Sequence, residues 1–237
     1  MKILMLHDCA YVSLELAKEL VNLGVDVSRI LYHNKLGFSL TKGFNLLMML
    51  WQTKQSDCDL VHSHYLGPAS TIAYLSGKPY IVHVHGSDVR NKHLSTVQKK
   101  VLKKSKAIVY ATEDSKPFLP EHAIYIETPV GKQFRNLHKK RNIKTAYRTL
   151  RYESPEQAVD LMINGLKYED MPKILNNVER FYDRHTIDNF SKTGLEALAC
   201  GCTVINNGCS FKGLPKEHEA VNVAKKLERI YSNVINA

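Results

Sequence analysis

The segment Asp188–Gly201, which reads DNFSKTGLEALACG, places two carboxylates eight residues apart around the start of a predicted helix. These carboxylates are Asp188 and Glu196. The first turn of a helix has backbone N–H groups without an intrahelical acceptor, so it can bind an anion, while a nearby carboxylate can accept a hydrogen bond from a hydroxyl. This combination suits a ligand with a diphosphate and sugar hydroxyls, such as a nucleotide-sugar. The alternative is an ordinary helix start, since acidic residues are favoured near helix N-termini in any case.

Two pairs of alternating histidines lie at the ends of predicted strands. His62 and His64 form the first pair, His83 and His85 form the second, and the polar loop Gly86–Asp88 follows. Alternation along a strand puts both members of a pair on one side of the sheet, where a crevice at the strand ends can bind ligand. A turn with hydrogen-bonded histidines is the alternative. No cluster of Cys or acidic residues accompanies them, so we expect no metal site.

Length and composition are those of a globular protein with one large or two small domains: 237 residues, 44% of them hydrophobic. The longest apolar block, Phe44–Trp51, is far shorter than the roughly 20 residues of a membrane-spanning helix. Five cysteines without a disulfide-type spacing predict a reduced, cytoplasmic compartment, with peripheral attachment at the inner membrane surface as a further candidate.

The formal net charge of +10 is the unusual bulk property. A basic surface favours nucleic acid, anionic lipid or phosphorylated ligands, and a solvated surface that aids solubility is the alternative. The predicted helix Leu94–Lys104 combines an apolar face with many lysines, so it is either an anionic-membrane contact or a helix that covers the sheet. The apolar run Leu46–Trp51 is predicted to be core, with a membrane contact as the alternative.

Strands alternate with helices through the first half of the chain, which predicts a parallel sheet covered on both faces. The predicted strands are Lys2–Leu6, Val25–Leu31, Leu60–His62, Tyr80–Val84, Ala107–Tyr110 and Ala123–Ile126. The predicted helices between them are Val12–Leu23, Leu40–Thr53, Ala69–Leu75 and Leu94–Lys104.

We place a domain boundary at about Thr128–Pro129. The first domain, 1–128, is completed by a final amphipathic helix in 217–237, and 129–216 forms a smaller α/β domain. In that smaller domain, strands are predicted at Val178–Tyr182 and Thr203–Asn206, around a helix over Lys192–Cys200. Further helices are predicted to start at Ser154–Pro155 and at Asp170–Pro172.

Five segments in the same order resemble the group 1 (family 4) retaining glycosyltransferases. They are Asp59–His64, Tyr80–Asp88, Ala111–Ser115, Ile163–Pro172 and, most specifically, Leu195–Gly201 with Val204–Ile205. The resemblance implies a GT-B-like α/β fold of two Rossmann-like domains with parallel sheets. Between Pro129 and Gly165 the chain lacks about half of the family's donor domain, so we expect a truncated C-terminal domain.

The resemblance also implies roles for individual residues. His85 and Asp188 would act at the reaction centre, and Glu196 would bind the nucleotide ribose. The helix start at Ser191, Lys192 and Thr193 would hold the diphosphate, with Arg148 and Arg151 as candidate cations. The remaining candidates lie on the acceptor side and are His64, Gly86, Ser87 and Asp88.

The implied activity is transfer of a sugar from a nucleotide-diphosphate donor, with retention and without a metal or other cofactor. The acceptor would be a saccharide or a lipid-linked molecule. One alternative is a degenerate, non-catalytic relative that binds a sugar or a partner subunit, and oligomers are compatible with either function. The other alternative is a basic binder of nucleic acid or anionic surfaces, and no nucleic-acid-binding motif supports it.

Overall fold

A computed structural model of the chain describes residues 1–31, 39–90, 93–148, 159–163, 165–183 and 190–237, and for residues 39–42 it describes the backbone alone. The described residues form two compact units: Met1–Thr128 together with Val221–Ala237, and Pro129–Ala220. Among the described helices, none combines the length and apolar character needed to cross a membrane.

A six-stranded parallel sheet forms the centre of the first unit, in the order β2-β1-β3-β4-β5-β6. Its strands are β1 Lys2–Leu6, β2 Asp26–Ile30, β3 Leu60–His64, β4 Tyr80–Val84, β5 Ala107–Tyr110 and β6 Ile124–Tyr125. Strands β3, β4 and β5 are buried along their whole length, as is usual for parallel strands covered on both faces. The register sets His64 beside His83, so the histidine pairs of β3 and β4 are neighbours.

The second unit contains a five-stranded sheet in the order β11-β10-β9-β7-β8. Its strands are β7 Ile143–Tyr147, β8 Leu161–Met162, β9 Val178–Tyr182, β10 Thr203–Asn206 and β11 Cys209–Phe211. All neighbours are parallel except β10 and β11, which form a hairpin. Asn207 and Gly208 make the turn, and both have positive φ, as a two-residue hairpin of this kind requires.

Seven α-helices accompany the sheets in the described residues. They are α1 Val12–Asn22, α2 Ser39–Gln55, α3 Pro68–Ser76, α4 Thr96–Lys104, α5 Met171–Leu175, α6 Lys192–Ala199 and α7 Ala220–Ile235. Two apolar clusters pack against the two faces of the first sheet. One includes Leu16 of α1 and Leu227 of α7, and the other includes Met49 of α2, Ile72 of α3 and Val101 of α4. The last helix therefore completes the core of the first unit.

Most elements predicted from the sequence are present, with bounds that differ by at most three residues. Strands β7, β8 and β11 were not predicted. The expectation that Leu46–Trp51 is core is wrong for half of that run: Leu46 and Leu50 pack on the core with Met49, but Leu47, Met48 and Trp51 are exposed. The reason is the helical period, which sends residues of a continuous apolar run to both sides of the helix. The predicted helix start at Ser154 lies outside the described residues.

Candidate functional site

The loop after β4 is shaped by buried polar contacts. Gly86 has φ +95°, and a Cβ there would lie 2.5 Å from the guanidinium of Arg90 and 2.7 Å from the Thr112 hydroxyl. The left-handed conformation and the close packing both require glycine at this position. Arg90 is in turn held by Asp114, whose Oδ1 accepts from Nη2 at 3.2 Å. The conformation of the turn that follows His85 is therefore fixed by its packing against Arg90 and Thr112.

Asp88 ties two loops of the first unit together. Its carboxylate is 1% exposed and accepts from the backbone N–H of Leu66 at 2.7 Å and of His85 at 3.1 Å. Burial raises the pKa of Asp88, and the hydrogen bonds from backbone N–H groups oppose that rise. The carboxylate of Asp88 thereby positions His85, and the place of Asp88 on the acceptor side stays a prediction. Ser87, by contrast, is exposed, and its hydroxyl lies 3.4 Å from that of Tyr65.

Four imidazoles form an array at the ends of β3 and β4. His62, His64 and His83 are fully buried, and His85 is half-buried. Ring stacking joins His62 to His64 at 4.2 Å and His83 to His85 at 4.4 Å between centroids. His64 Nδ1 lies 3.3 Å from His85 Nε2, and the inner end is closed by Tyr231 of α7, whose hydroxyl lies 2.5 Å from His62 Nδ1.

Burial sets the charge state of this array. It lowers the pKa of His62 to about 3, with a smaller contribution from His85. Burial also lowers the pKa values of His64, His83 and His85 well below the ordinary range. Neighbouring imidazoles add to this effect, because they would repel one another when charged. The array is therefore neutral at pH 7, and the neutral imidazole of His85 can accept a hydrogen bond from a ligand hydroxyl.

One ring nitrogen from each of His62, His64 and His83 lies within 4.8 Å of the other two, so these residues could hold a metal ion. The rings of His62 and His64 are, however, inclined by only 22° and stacked face to face. Metal ligation needs in-plane lone pairs that converge on one point. The absence of a metal site stays a prediction.

In the second unit, the start of α6 gathers the other predicted residues. Glu196 is 2% exposed, and its Oε1 accepts from the Tyr168 hydroxyl at 3.1 Å and lies 3.0 Å from the Lys192 ammonium. Burial raises the pKa of Glu196, and Lys192, Tyr168 and Arg148 oppose that rise. Lys192 also donates to the Pro129 carbonyl at 3.0 Å, so its ammonium is engaged within the unit.

The cap of α6 is built from two side chains. The Ser191 hydroxyl accepts from the N–H of Gly194 at 3.0 Å, and Asp183 Oδ2 accepts from the N–H of Ser191 at 2.8 Å. Asp183 follows β9 directly and is 3% exposed. A Cβ at Gly194 would lie 2.2 Å from Asp183 Oδ2, so this position has room for glycine alone. The strand end and the helix start are thereby locked to each other.

Arg148 follows β7 and reaches the same helix start, where its Nη1 donates to the hydroxyl of the buried Thr193. The structure thus brings Ser191, Lys192, Thr193, Glu196 and Arg148 together. It likewise brings His64, His85, Gly86 and Asp88 together in the first unit. Asp188 and Arg151 lie outside the described residues.

Sequence reasoning missed two residues at the α6 site. Tyr168 hydrogen-bonds Glu196 from a short 3-10 turn, Tyr168–Asp170, and no local pattern links it to α6. Asp183 could have been found, because an acid directly after a buried strand of a parallel sheet lies at the ligand-binding edge.

No protein-family model matches the chain, and no curated protein matches it in sequence. Solved structures do share its fold. AviGT4, a glycosyltransferase involved in avilamycin A biosynthesis, is 11% identical with a TM-score of 0.70, over 100% of this chain and 98% of that chain. Sucrose-phosphate synthase from Thermosynechococcus elongatus is 11% identical with a TM-score of 0.63, over 99% of this chain and 90% of its own.

A third similar structure is a UDP-GlcNAc 2-epimerase from Methanocaldococcus jannaschii, which is 10% identical with a TM-score of 0.60, over 98% of this chain and 100% of its own. At such identities the likeness shows the fold alone, which is the GT-B-like α/β fold with two Rossmann-like units. Transferases and epimerases both appear among these structures, so the function has to be argued from the site.

Proposed function

We propose that the chain is a glycosyltransferase of the hexosyltransferase type that uses a nucleotide-diphosphate-sugar donor. The observation that carries this proposal is the α6 start, where a buried carboxylate, two first-turn N–H groups and an arginine lie together. A diphosphate flanked by ribose and sugar needs these three kinds of group. Sugar transfer is also the activity named for AviGT4, which has the same fold.

The diphosphate would bind at the backbone N–H groups of Lys192 and Thr193, since first-turn N–H groups have no intrahelical acceptor. Arg148 would turn from the Thr193 hydroxyl to a phosphate oxygen, because a guanidinium matches phosphate geometry. Within the described part of the chain, Tyr168 and Lys192 both contact Glu196 through Oε1. We assign its Oε2 to a ribose hydroxyl.

In the reaction, the bond between the sugar C1 and the diphosphate oxygen breaks and a bond from the acceptor oxygen to C1 forms. The departing diphosphate gains negative charge, which the α6 dipole and Arg148, once turned to the phosphate, would stabilise. The acceptor hydroxyl gives its proton to the departing diphosphate oxygen, and we assign His85 to orient that hydroxyl. Asp188 would contact the donor sugar, and retention of configuration follows from the family resemblance.

A second candidate is a relative that binds the donor without transferring its sugar. The engagement of Lys192 by Glu196 and Pro129 favours it, because that ammonium is then not presented to a phosphate. The two candidates differ in turnover and agree in binding.

The test is release of nucleoside diphosphate from a panel of UDP-, GDP- and ADP-sugars, with and without simple glycoside acceptors. The transferase proposal expects release with at least one donor, and expects His85→Ala to abolish it while donor binding persists. The exposed His122 provides the control, because His122→Ala removes an imidazole without touching the site. Binding without release from any donor would select the second candidate, and no binding at millimolar donor would refute both.

A further inference from the structure

Helix α2 of the first unit has apolar residues on two opposite sides. Met49 is 3% exposed and packs into the core together with Leu46 and Leu50. On the other side, four large apolar side chains are exposed at the helical spacing i, i+3, i+4, i+7: Phe44 64%, Leu47 67%, Met48 38% and Trp51 57%. We call these four residues the α2 stripe.

The α2 stripe is larger than the scattered apolar residues found on most surfaces. An aromatic side chain carries about 150–250 Å² of area, so Phe44 and Trp51 alone expose roughly 250 Å². Leu47 and Met48 extend this to a contiguous patch of several hundred Å², the size at which a patch marks an interaction site. The proposed transfer reaction makes no use of this surface.

The charge around the α2 stripe indicates what kind of partner covers it. Helix α2 contains Lys42 and Lys54 and no acidic residue. Lys54 is exposed and follows Trp51 by three residues, so it lies beside the stripe one turn further along. The whole chain has a formal net charge of +10, which disfavours pairing with a second copy. The stripe is also smaller than the roughly 800 Å² per partner of a stable dimer.

We propose that the α2 stripe docks the protein in the plane of an anionic lipid bilayer. The four apolar side chains would enter the boundary between headgroups and acyl chains, with Trp51 at headgroup depth and Lys54 beside anionic headgroups. Such binding needs both the apolar and the electrostatic contribution. It therefore weakens in zwitterionic lipid and at high salt.

The chain provides its own reporter, because Trp51 is its single tryptophan and lies within the stripe. The experiment adds phosphatidylcholine vesicles, with or without phosphatidylglycerol, to the full chain and records the tryptophan emission and its quenching by acrylamide. We expect a shift to shorter wavelength and reduced quenching with the anionic vesicles. Phe44→Gln with Leu47→Gln should weaken vesicle affinity at least about tenfold, since each buried side chain contributes a factor of that order.

The matched control is Val21→Gln on α1, which is 55% exposed and belongs to a helix on the opposite face of the sheet. It should bind vesicles as the wild type does, and circular dichroism should show the same fold for both variants. The proposal is overturned by unchanged Trp51 emission with every vesicle, or by equal weakening in the control. It is also overturned if sedimentation shows a dimer that the stripe variant disrupts, since a second copy would then be the occupant.

Discussion

Lowering the pH should destabilise the first unit because its buried histidines are neutral. His62 is fully buried, and its pKa falls from 6.5 to about 3 on folding. Between these values the unfolded chain binds a proton at this position that the folded chain does not. The contribution of neutral His62 to the free energy of unfolding is therefore complete above pH 6.5 and is lost progressively as the pH falls toward 3.

The size of the effect follows from linkage. For His62 alone, lowering the pH from 7 to 5.5 should reduce the free energy of unfolding by about 1.2 kcal/mol. His64 and His83 are equally buried, and their pKa values are also lowered, so they act in the same direction. The loss for the wild-type unit should therefore exceed the value for one histidine.

Urea unfolding followed by Trp51 emission measures this loss, since the single tryptophan lies in the first unit. The His62→Phe variant removes one proton-binding group, so its free energy of unfolding should depend less steeply on pH, by about one proton. The control is His122→Gln, because His122 is exposed and its removal should leave the slope unchanged. Equal slopes for His62→Phe and the wild type, or greater stability at pH 5.5 than at pH 7, would refute the reasoning.

Three further substitutions test contacts near the proposed sites. Gly194→Ala places a methyl group 2.2 Å from Asp183 Oδ2 and should destabilise the second unit by about 1–3 kcal/mol in urea unfolding. The control is Gly208→Ala at the solvent-facing hairpin, which should leave α6 intact. Asp88→Ala leaves the N–H groups of Leu66 and His85 without their acceptor. It should therefore lower the melting temperature and broaden the backbone NMR signals of the loop after β4. Neither change is expected if Asp88 only contacts ligand. Tyr168→Phe removes one hydrogen bond from Glu196, so it should lower the free energy of unfolding by about 1 kcal/mol and weaken nucleoside-diphosphate binding. Unchanged binding would argue against a positioning role for Tyr168.

Much of the fold was predictable because buried parallel strands have a strong local signature. Tyr80–Val84 and Ala107–Tyr110 are short apolar runs between polar segments, and their bounds agree with the predicted ones. Strand β7 was missed because its sequence, Ile143–Tyr147, includes Lys144 and lies in a basic stretch. Its strand character depends on pairing with β9 and β8, which composition does not reveal. The turn residues Asn207 and Gly208 could have indicated β11.

The site was predictable to a smaller extent, because local sequence cannot specify which side chains meet. The position of Glu196 in α6 followed from its motif, but its contact with Tyr168 joins residues 28 positions apart. The closing of the histidine array by Tyr231 joins residues 169 positions apart. Asp88 reads as a ligand-facing loop residue in the sequence, and only the fold brings the N–H of Leu66 to it.

The most direct test of the proposed donor site is calorimetric titration of UDP, GDP and ADP into the wild type and into Arg148→Ala and Glu196→Ala. The matched control is Arg180→Ala, which removes an exposed arginine from β9 of the same unit. We predict saturable binding of at least one nucleoside diphosphate that both site variants weaken about tenfold or more, as expected for the loss of a charge-assisted hydrogen bond. Binding that is absent at millimolar concentration, or that Arg180→Ala weakens as much as Arg148→Ala does, would contradict the assignment of the α6 start as the donor site.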